Sequence, residues 1–251
     1  MPTYLAKVAY NGKEFYGFQR QSFFRSVQGE IESCLSMMLG DGEDIVIHGA
    51  GRTDRGVHAT GQRFSFYSDS PIGVDPTLFL HNINRLLPKD ITILDIQEVE
   101  DGFDARHSSI KKVYRYKFMW GQKDPFHQGT VTQLPLDGFD VALFKEAVSS
   151  FLGKHNFQNF TTKPEDVGGF IRTIDKIDVE IDEAKRYGEV RFLGDGFMTY
   201  MVRILMGSAF KCAYHKWTVE ELRSALEAKE RKIIPYKADP DGLYLEDVIY
   251  E

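Results

Sequence analysis

Only two cysteines, Cys34 and Cys212, occur among the 251 residues. Both fall in segments with helical spacing, and neither has a second cysteine nearby in the sequence. That argues against a disulfide framework or a cysteine-based zinc site, and leaves two buried, reduced thiols as the expectation. Long apolar runs are missing too. No stretch approaches the ~20 residues that a helix needs to cross a bilayer, so no membrane partner is expected. The N-terminus runs Met-Pro-Thr-Tyr-Leu-Ala-Lys-Val-Ala-Tyr directly into strand-like alternation. It lacks the basic stretch and apolar run of a secretory leader, and the expected location is the cytoplasm. Also absent are a phosphate-binding P-loop, a G-x-G-x-x-G and a metal-ligand cluster, so neither a cofactor nor a metal is expected.

Positive charge is in deficit: 31 Lys and Arg against 37 Asp and Glu leave a net charge of −6. Alone, this argues weakly against a nucleic-acid partner. A docking ligand feels the local patch rather than the total, however. Arg52, Arg55 and Arg63 surround a single Asp54, and Arg106, Lys111, Lys112, Arg115 and Lys117 face only Asp104. The acidic residues collect at 95–101, 175–183 and 239–251. A hydrophobic fraction of 42% and a charged fraction of 27% suit a globular chain and exclude bulk disorder.

Periodicity gives the order of elements. Tyr4 to Tyr10 alternates as a strand. Val27, Ile31, Cys34, Leu35 and Met38 form a helical stripe with Ser26 placed to cap it. Ile45 to His48 is a short β-branched run, and Gln62 to Tyr67 alternates again. Pro76 to Leu87 reads as a helix with proline in its first turn, and Ile91 to Val99 as a strand. This β-α-β-β-α-β order is the split ferredoxin-like pattern. The second half partly repeats it: a strand at 113–119, a helix at 139–152, paired strands at 171–181 and 187–193, helices at 199–214 and 218–229, and a closing strand at 243–250. The expected fold class is α+β, with two related halves, 1–106 and 107–251, and a ligand cleft between them.

The densest chemistry lies at Gly49-Ala50-Gly51-Arg52-Thr53-Asp54-Arg55-Gly56-Val57-His58-Ala59. Three glycines within eight residues mean a sharp turn or a close approach. One carboxylate sits between two arginines. A surface loop with an Arg–Asp ion pair explains the run as well as a catalytic loop does, and both readings stay open on these residues alone.

The run resembles the G-R-T-D-x-G-V-H-A signature of the TruA family of tRNA pseudouridine synthases. The likeness extends over nearly the whole chain. It takes in Tyr10-Asn11-Gly12, Gly17-Phe18-Gln19-Arg20-Gln21, Ser26-Val27-Gln28, Asn84 to Ile91, Phe103-Asp104-Ala105-Arg106 and Tyr114-Arg115-Tyr116. It continues through Phe197, Met201-Val202-Arg203, Gly207 and Gly242-Leu243 to Leu245 and Val248. The resemblance implies a pseudouridine synthase fold around a central antiparallel sheet, a homodimer, and uridine isomerisation in the anticodon stem-loop of tRNA. It implies Asp54 as the catalytic carboxylate, Arg203 as the cation beside it, and Tyr114 as a ring on the target base. It further implies that Arg52 enters the RNA when the uridine leaves its stack and that Leu245 walls the base. His58 holds the loop by hydrogen bonding. Arg106, Lys111, Lys112 and Arg115 are phosphate-contact candidates.

Three positions depart from the pattern. Arg55 stands where alanine is usual, Asn156 where aspartate is, and Ala238-Asp239-Pro240 shifts the usual Ala-Pro. Two other classes fit the residues less well. An RNA-binding module without catalysis lacks its R-G-F-x-F strand here and gives the Asp54 loop no purpose. A glycoside-cleaving enzyme wants two cooperating carboxylates, and only Asp54 stands out.

Overall fold

The computed structural model describes residues 2–39, 44–69, 72, 75–163 and 169–250. Strand β1 (Thr3–Tyr10) is antiparallel to β3 (His58–Tyr67) on one side and to β4 (Ile91–Val99) on the other. The short β2 (Ile47–Gly49) lies on the outer edge of β3. The helices α1 (Val27–Leu39) and α2 (Pro76–Leu86) complete a β-α-β-β-α-β run. The strand order β4-β1-β3-β2 is what that run gives when each crossover skips one strand, as the sequence pattern led us to expect.

Local chemistry accounts for both helices. In α1, Val27, Ile31, Cys34 and Leu35 face inward, and the Ser26 hydroxyl accepts the Gly29 N–H at 3.3 Å. In α2, the Asp75 carboxylate accepts from Thr77 and Leu78, Pro76 occupies the first turn, and Phe79 and Ile83 are buried. Asn84 then ties α2 to β4. Its amide donates to the Ile93 carbonyl and accepts the Ile93 N–H, both at 2.8 Å. The sequence shows Asn84 as part of a motif but not this pairing.

Contacts divide the chain into two units, Met1–Ile110 with Tyr244–Glu251, and Lys111–Leu243. The division read from the sequence kept all of 107–251 together. From Tyr244 on, strand β10 (Leu243–Ile249) is grouped with the first unit, where Tyr244 and Leu245 pair in parallel with His58 and Ala59 at the start of β3. β2 pairs further along, so the two strands share β3.

In the second unit β5 (Lys111–Trp120), β9 (Tyr187–Gly194), β8 (Ile171–Asp182) and β7 (Gly153–Asn156) are antiparallel neighbours in that order. β6 (Thr132–Leu134) pairs in parallel with β5. Phe118 on β5 meets Phe144 of α3 (Val141–Ser149) at 4.9 Å and Phe210 of α4 (Met201–Ala213) at 5.1 Å between ring centroids. α5 (Val219–Glu227) begins with a reciprocal capping box between Thr218 and Glu221. Strands β6 and β7 were not anticipated, because three or four residues carry too little alternation to be read. Cys34 and Cys212 are both buried free thiols, as expected. No helix among the described residues is long and apolar enough to cross a membrane.

Candidate active site

The loop at 50–57 is fixed by its backbone. The Ala50 N–H donates to the Arg63 carbonyl at 2.8 Å, and the Gln62 amide donates to the Gly51 carbonyl at 2.9 Å. The Phe18 N–H reaches the Thr53 carbonyl at 3.1 Å, while the Thr53 and Tyr10 hydroxyls share a buried bond of 2.7 Å. Beyond Asp54, the Gly56 N–H donates to the Phe15 carbonyl, and the Val57 N–H turns back onto the Asp54 carbonyl at 3.1 Å. The half-buried Asp54 is thus held by bonds on both sides of it.

Two glycines outside the loop let it dock. Gly17 has φ +106°, and a Cβ there would lie 2.8 Å from the Thr53 carbonyl oxygen. A Cβ on Gly12 would lie 1.9 Å from the Val57 carbonyl oxygen. Backbone blocks the space, so Gly12→Ala must push the loop outward. We expect it to cost about 1–3 kcal/mol of stability, as overpacking does, and to lower turnover by displacing Asp54. Urea unfolding and steady-state rates check this. Wild-type values in both would mean the loop moves without cost.

His58 is buried, and its Nδ1 accepts the Gly12 N–H at 3.0 Å, which requires the ring proton on Nε2. Its ring stacks on Tyr244 at 4.6 Å. It therefore serves as the loop-holding group expected of it. Leu245, the next residue of β10, is fully buried beside Ala59. Arg52 is exposed and donates to the Gln19 side chain at 2.9 Å. Arg106 is exposed on a turn that Asp104 shapes by accepting the Arg106 and His107 amides at 2.8 and 2.7 Å. Burial pushes the Asp104 carboxyl up, but these two bonds, together with the nearby His107 and His48, outweigh it and hold the group below its ordinary value. Ala105 is clamped by Ser65, which accepts its N–H, and by the Tyr250 hydroxyl, which donates to its carbonyl.

In the second unit, the alternation of β5 sorts the remaining residues. Lys112, Tyr114, Tyr116 and Phe118 share one face, and Lys111, Arg115 and Lys117 the other. Tyr116 is the core member of the tyrosine pair. It is fully buried, shares a 2.7 Å bond with Thr132 and donates to the Asp239 carbonyl at 2.7 Å. Burial pushes its phenol far above the tyrosine range. Tyr114 keeps a little exposure and meets Phe197 edge-on at 5.1 Å. Lys111 pairs with Asp175 at 3.3 Å, and Arg115 faces Glu189 at 3.7 Å.

Arg203 lies in the first turn of α4, where twelve of thirteen residues are buried. Its own exposure of 8% excludes a helix-surface charge. Its Nε donates to the Ala238 carbonyl at 2.8 Å, and the Ala238 N–H returns a bond to the Arg203 carbonyl at 2.9 Å. Gly207, one turn on, permits this approach, since a Cβ there would sit 2.3 Å from the Tyr236 carbonyl oxygen. Asn156, at one departure from the family pattern, accepts the Gln158 N–H at 3.1 Å and shapes the turn that follows. Sequence reasoning missed Tyr10, Gln62 and Ala238 as supports, because their partners lie 43, 11 and 35 residues away along the chain and spacing does not announce such pairings.

Fold and loop define a class: an α+β protein of split β-α-β-β-α-β order that carries one carboxylate in a docked glycine-rich loop. Two proteins named tRNA pseudouridine synthase A, from Streptococcus pneumoniae strain P1031 and from Streptococcus pneumoniae serotype 19F strain G54, are each 36% identical to it over 252 residues. The match covers 100% of both chains in each case. A family model described as tRNA pseudouridine synthase matches residues 147–251. The chain belongs to the tRNA pseudouridine synthase family of isomerases. A chain in the crystal structure of a Cbf5-Nop10-Gar1 complex aligns with 95% of this chain and 56% of its own length. At 10% identity and a TM-score of 0.35, that likeness is too low to carry an argument.

Proposed function

We propose that the chain isomerises uridine to pseudouridine in the anticodon stem-loop of tRNA, with Asp54 as the essential carboxylate and Arg203 and Tyr114 as its catalytic partners. The reaction breaks the bond from ribose C1′ to uracil N1 and forms one from C1′ to C5. The proton lost from C5 is balanced by one gained at N1, so no electrons and no group leave. An ionised carboxylate meets each available route: attack on the sugar, attack on the base, or removal of a sugar proton. A guanidinium keeps its charge and favours that ionised form, and a tyrosine ring can stack on an extruded uracil.

The observation that carries the reading is the docking of the Asp54 loop, which fixes one carboxylate by backbone bonds on both sides. Full-length identity of 36% to named synthases supports it. The test is incubation of purified protein with unmodified tRNA, followed by mapping of pseudouridine. None formed would end the proposal, and product confined to sites outside the anticodon stem-loop would end its finer part.

We also infer a homodimer, since one 251-residue subunit is small against a tRNA. Sedimentation of fully active protein as a monomer would exclude it. Phosphate binding is assigned to Arg52, Arg106 and Lys112 ahead of Lys111 and Arg115. Lys112 shares the Tyr114 face of β5, whereas Lys111 and Arg115 sit on the opposite face. Lys112→Ala is expected to weaken tRNA binding and to lower the salt slope by about one. Lys111→Ala should leave the slope nearly unchanged, and equal effects would overturn the sorting by face.

A further inference from the structure

Beside the Asp54 loop lies a set of rings that the catalytic reading does not use. Tyr16 and Phe24 stack with centroids 4.1 Å apart and planes 19° from parallel. The Arg55 guanidinium lies over the same Tyr16 ring, also 4.1 Å from its centroid. Two groups of that size cannot share one face of a ring, so the order is Arg55, Tyr16, Phe24. Phe24 is 48% exposed and its neighbour Phe23 is 92% exposed. Adjacent phenylalanines held this openly are an unusual use of apolar surface.

The stack is built rather than incidental. Gln21 and Phe24 form a β-bridge, and the Gln21 side chain donates to the Tyr16 carbonyl at 2.9 Å. The Tyr16 N–H donates to the Arg25 carbonyl at 2.9 Å, closing the turn that presents both phenylalanines. Arg25 is anchored in turn by two bonds to Asp90 and one to Glu30. On the other side, Arg55 directly follows Asp54, and the Gly56 N–H donates to the carbonyl of Phe15, next to Tyr16. The rings are therefore tied to the loop that carries the carboxylate.

We propose that Phe24, backed by Tyr16 and Arg55, is a stacking platform for an unpaired base of the RNA substrate, with Phe23 flanking it. Every base has a π-face, aromatic rings bind it without reading its sequence, and a cation behind the stack strengthens the arrangement. The exposed Arg52 and Arg55 supply charge for the phosphates on either side of that base. An RNA nucleotide is the occupant that uses both the rings and the cations. This inference rests on the tRNA-modifying reading and adds a contact that holds one unpaired base of the loop in place whatever its identity.

The experiment compares Phe24→Ala, the double variant Phe23→Ala/Phe24→Ala, and Phe24→Trp in tRNA affinity, kcat and KM. A tRNA carrying 2-aminopurine at single anticodon-loop positions reports stacking by its fluorescence. We expect Phe24→Ala to weaken binding roughly five- to a hundredfold. The loss should fall on KM rather than kcat, with the salt slope unchanged because no ion pair is removed. Quenching at one or more loop positions should vanish in Phe24→Ala and return in Phe24→Trp. Wild-type affinity and quenching in the double variant, alongside active wild-type enzyme, would overturn the platform and leave the proposed reaction standing. Loss of sedimentation as a dimer at unchanged RNA quenching would also overturn it, making the rings a contact between subunits. Wild-type protein that forms no pseudouridine in any tRNA would overturn both.

Discussion

Asp54→Asn is expected to reduce pseudouridine formation by about 10⁴-fold, the upper end of what a positioned acid–base group supplies. The substitution keeps the shape of the side chain and removes its charge. The loop should keep its place, because the Thr53, Gly56 and Val57 backbone bonds and the Tyr10–Thr53 hydroxyl pair all remain in the variant. Binding to tRNA should persist or tighten slightly, since phosphate contacts supply most of the affinity and a like charge is withdrawn. The comparison that decides is single-turnover pseudouridine yield beside a binding isotherm at the same salt. Activity within tenfold of wild type would remove Asp54 from its role. Loss of binding in step with activity would make it a structural residue instead.

Arg203→Met is expected to have the next largest effect, on turnover and on stability together. Removing the guanidinium leaves the Ala238 carbonyl without its 2.8 Å donor in a buried place, at a cost of about 1–3 kcal/mol. It also removes a fixed cation, and losing one preorganised donor of this kind commonly costs about 10²–10³ in rate. Arg203→Lys separates the two contributions. It keeps the charge but loses the planar fork and the Nε–H aimed at Ala238. We expect Arg203→Lys to recover part of the rate and little of the stability. Urea midpoints and kcat/KM for the pair of variants check this, and wild-type behaviour of Arg203→Lys in both would mean that charge alone matters at this position.

Much of the architecture could be read from periodicity. The stripe Val27, Ile31, Cys34, Leu35 became α1, and the strand expected at Ile91 to Val99 has those bounds. Ser26 and Pro76 marked helix starts because capping and first-turn preference are chemistry of neighbouring residues. β6 and β7 escaped because they are too short to show a period. The charge candidates at 106–115 were visible only as a cluster. Strand alternation separates Lys112 from Lys111 and Arg115, and the carboxylates that claim the latter two stand on β8 and β9, more than sixty residues away.

By itself the sequence determined the order β-α-β-β-α-β, the identity of Asp54 as the one carboxylate in a glycine-rich loop, and the family. These depend on residue type and short spacing, which a linear chain displays directly. Only the tertiary structure decided how that loop is held. Gly12 and Gly17 have to be glycine because other segments pass within van der Waals range of them, and no spacing along the chain announces such an approach. The same holds for Arg203 and Ala238, thirty-five residues apart yet joined by two hydrogen bonds, and for β10, which returns to pair with β3. Tyr16, Phe24 and Arg55 are ordinary residues in sequence. They become a three-layer stack because the bridge at Gln21 and the turn at Gly56 bring three separate backbones to one point. Packing of this kind is a property of distances in space, so it is settled only when the chain has closed on itself.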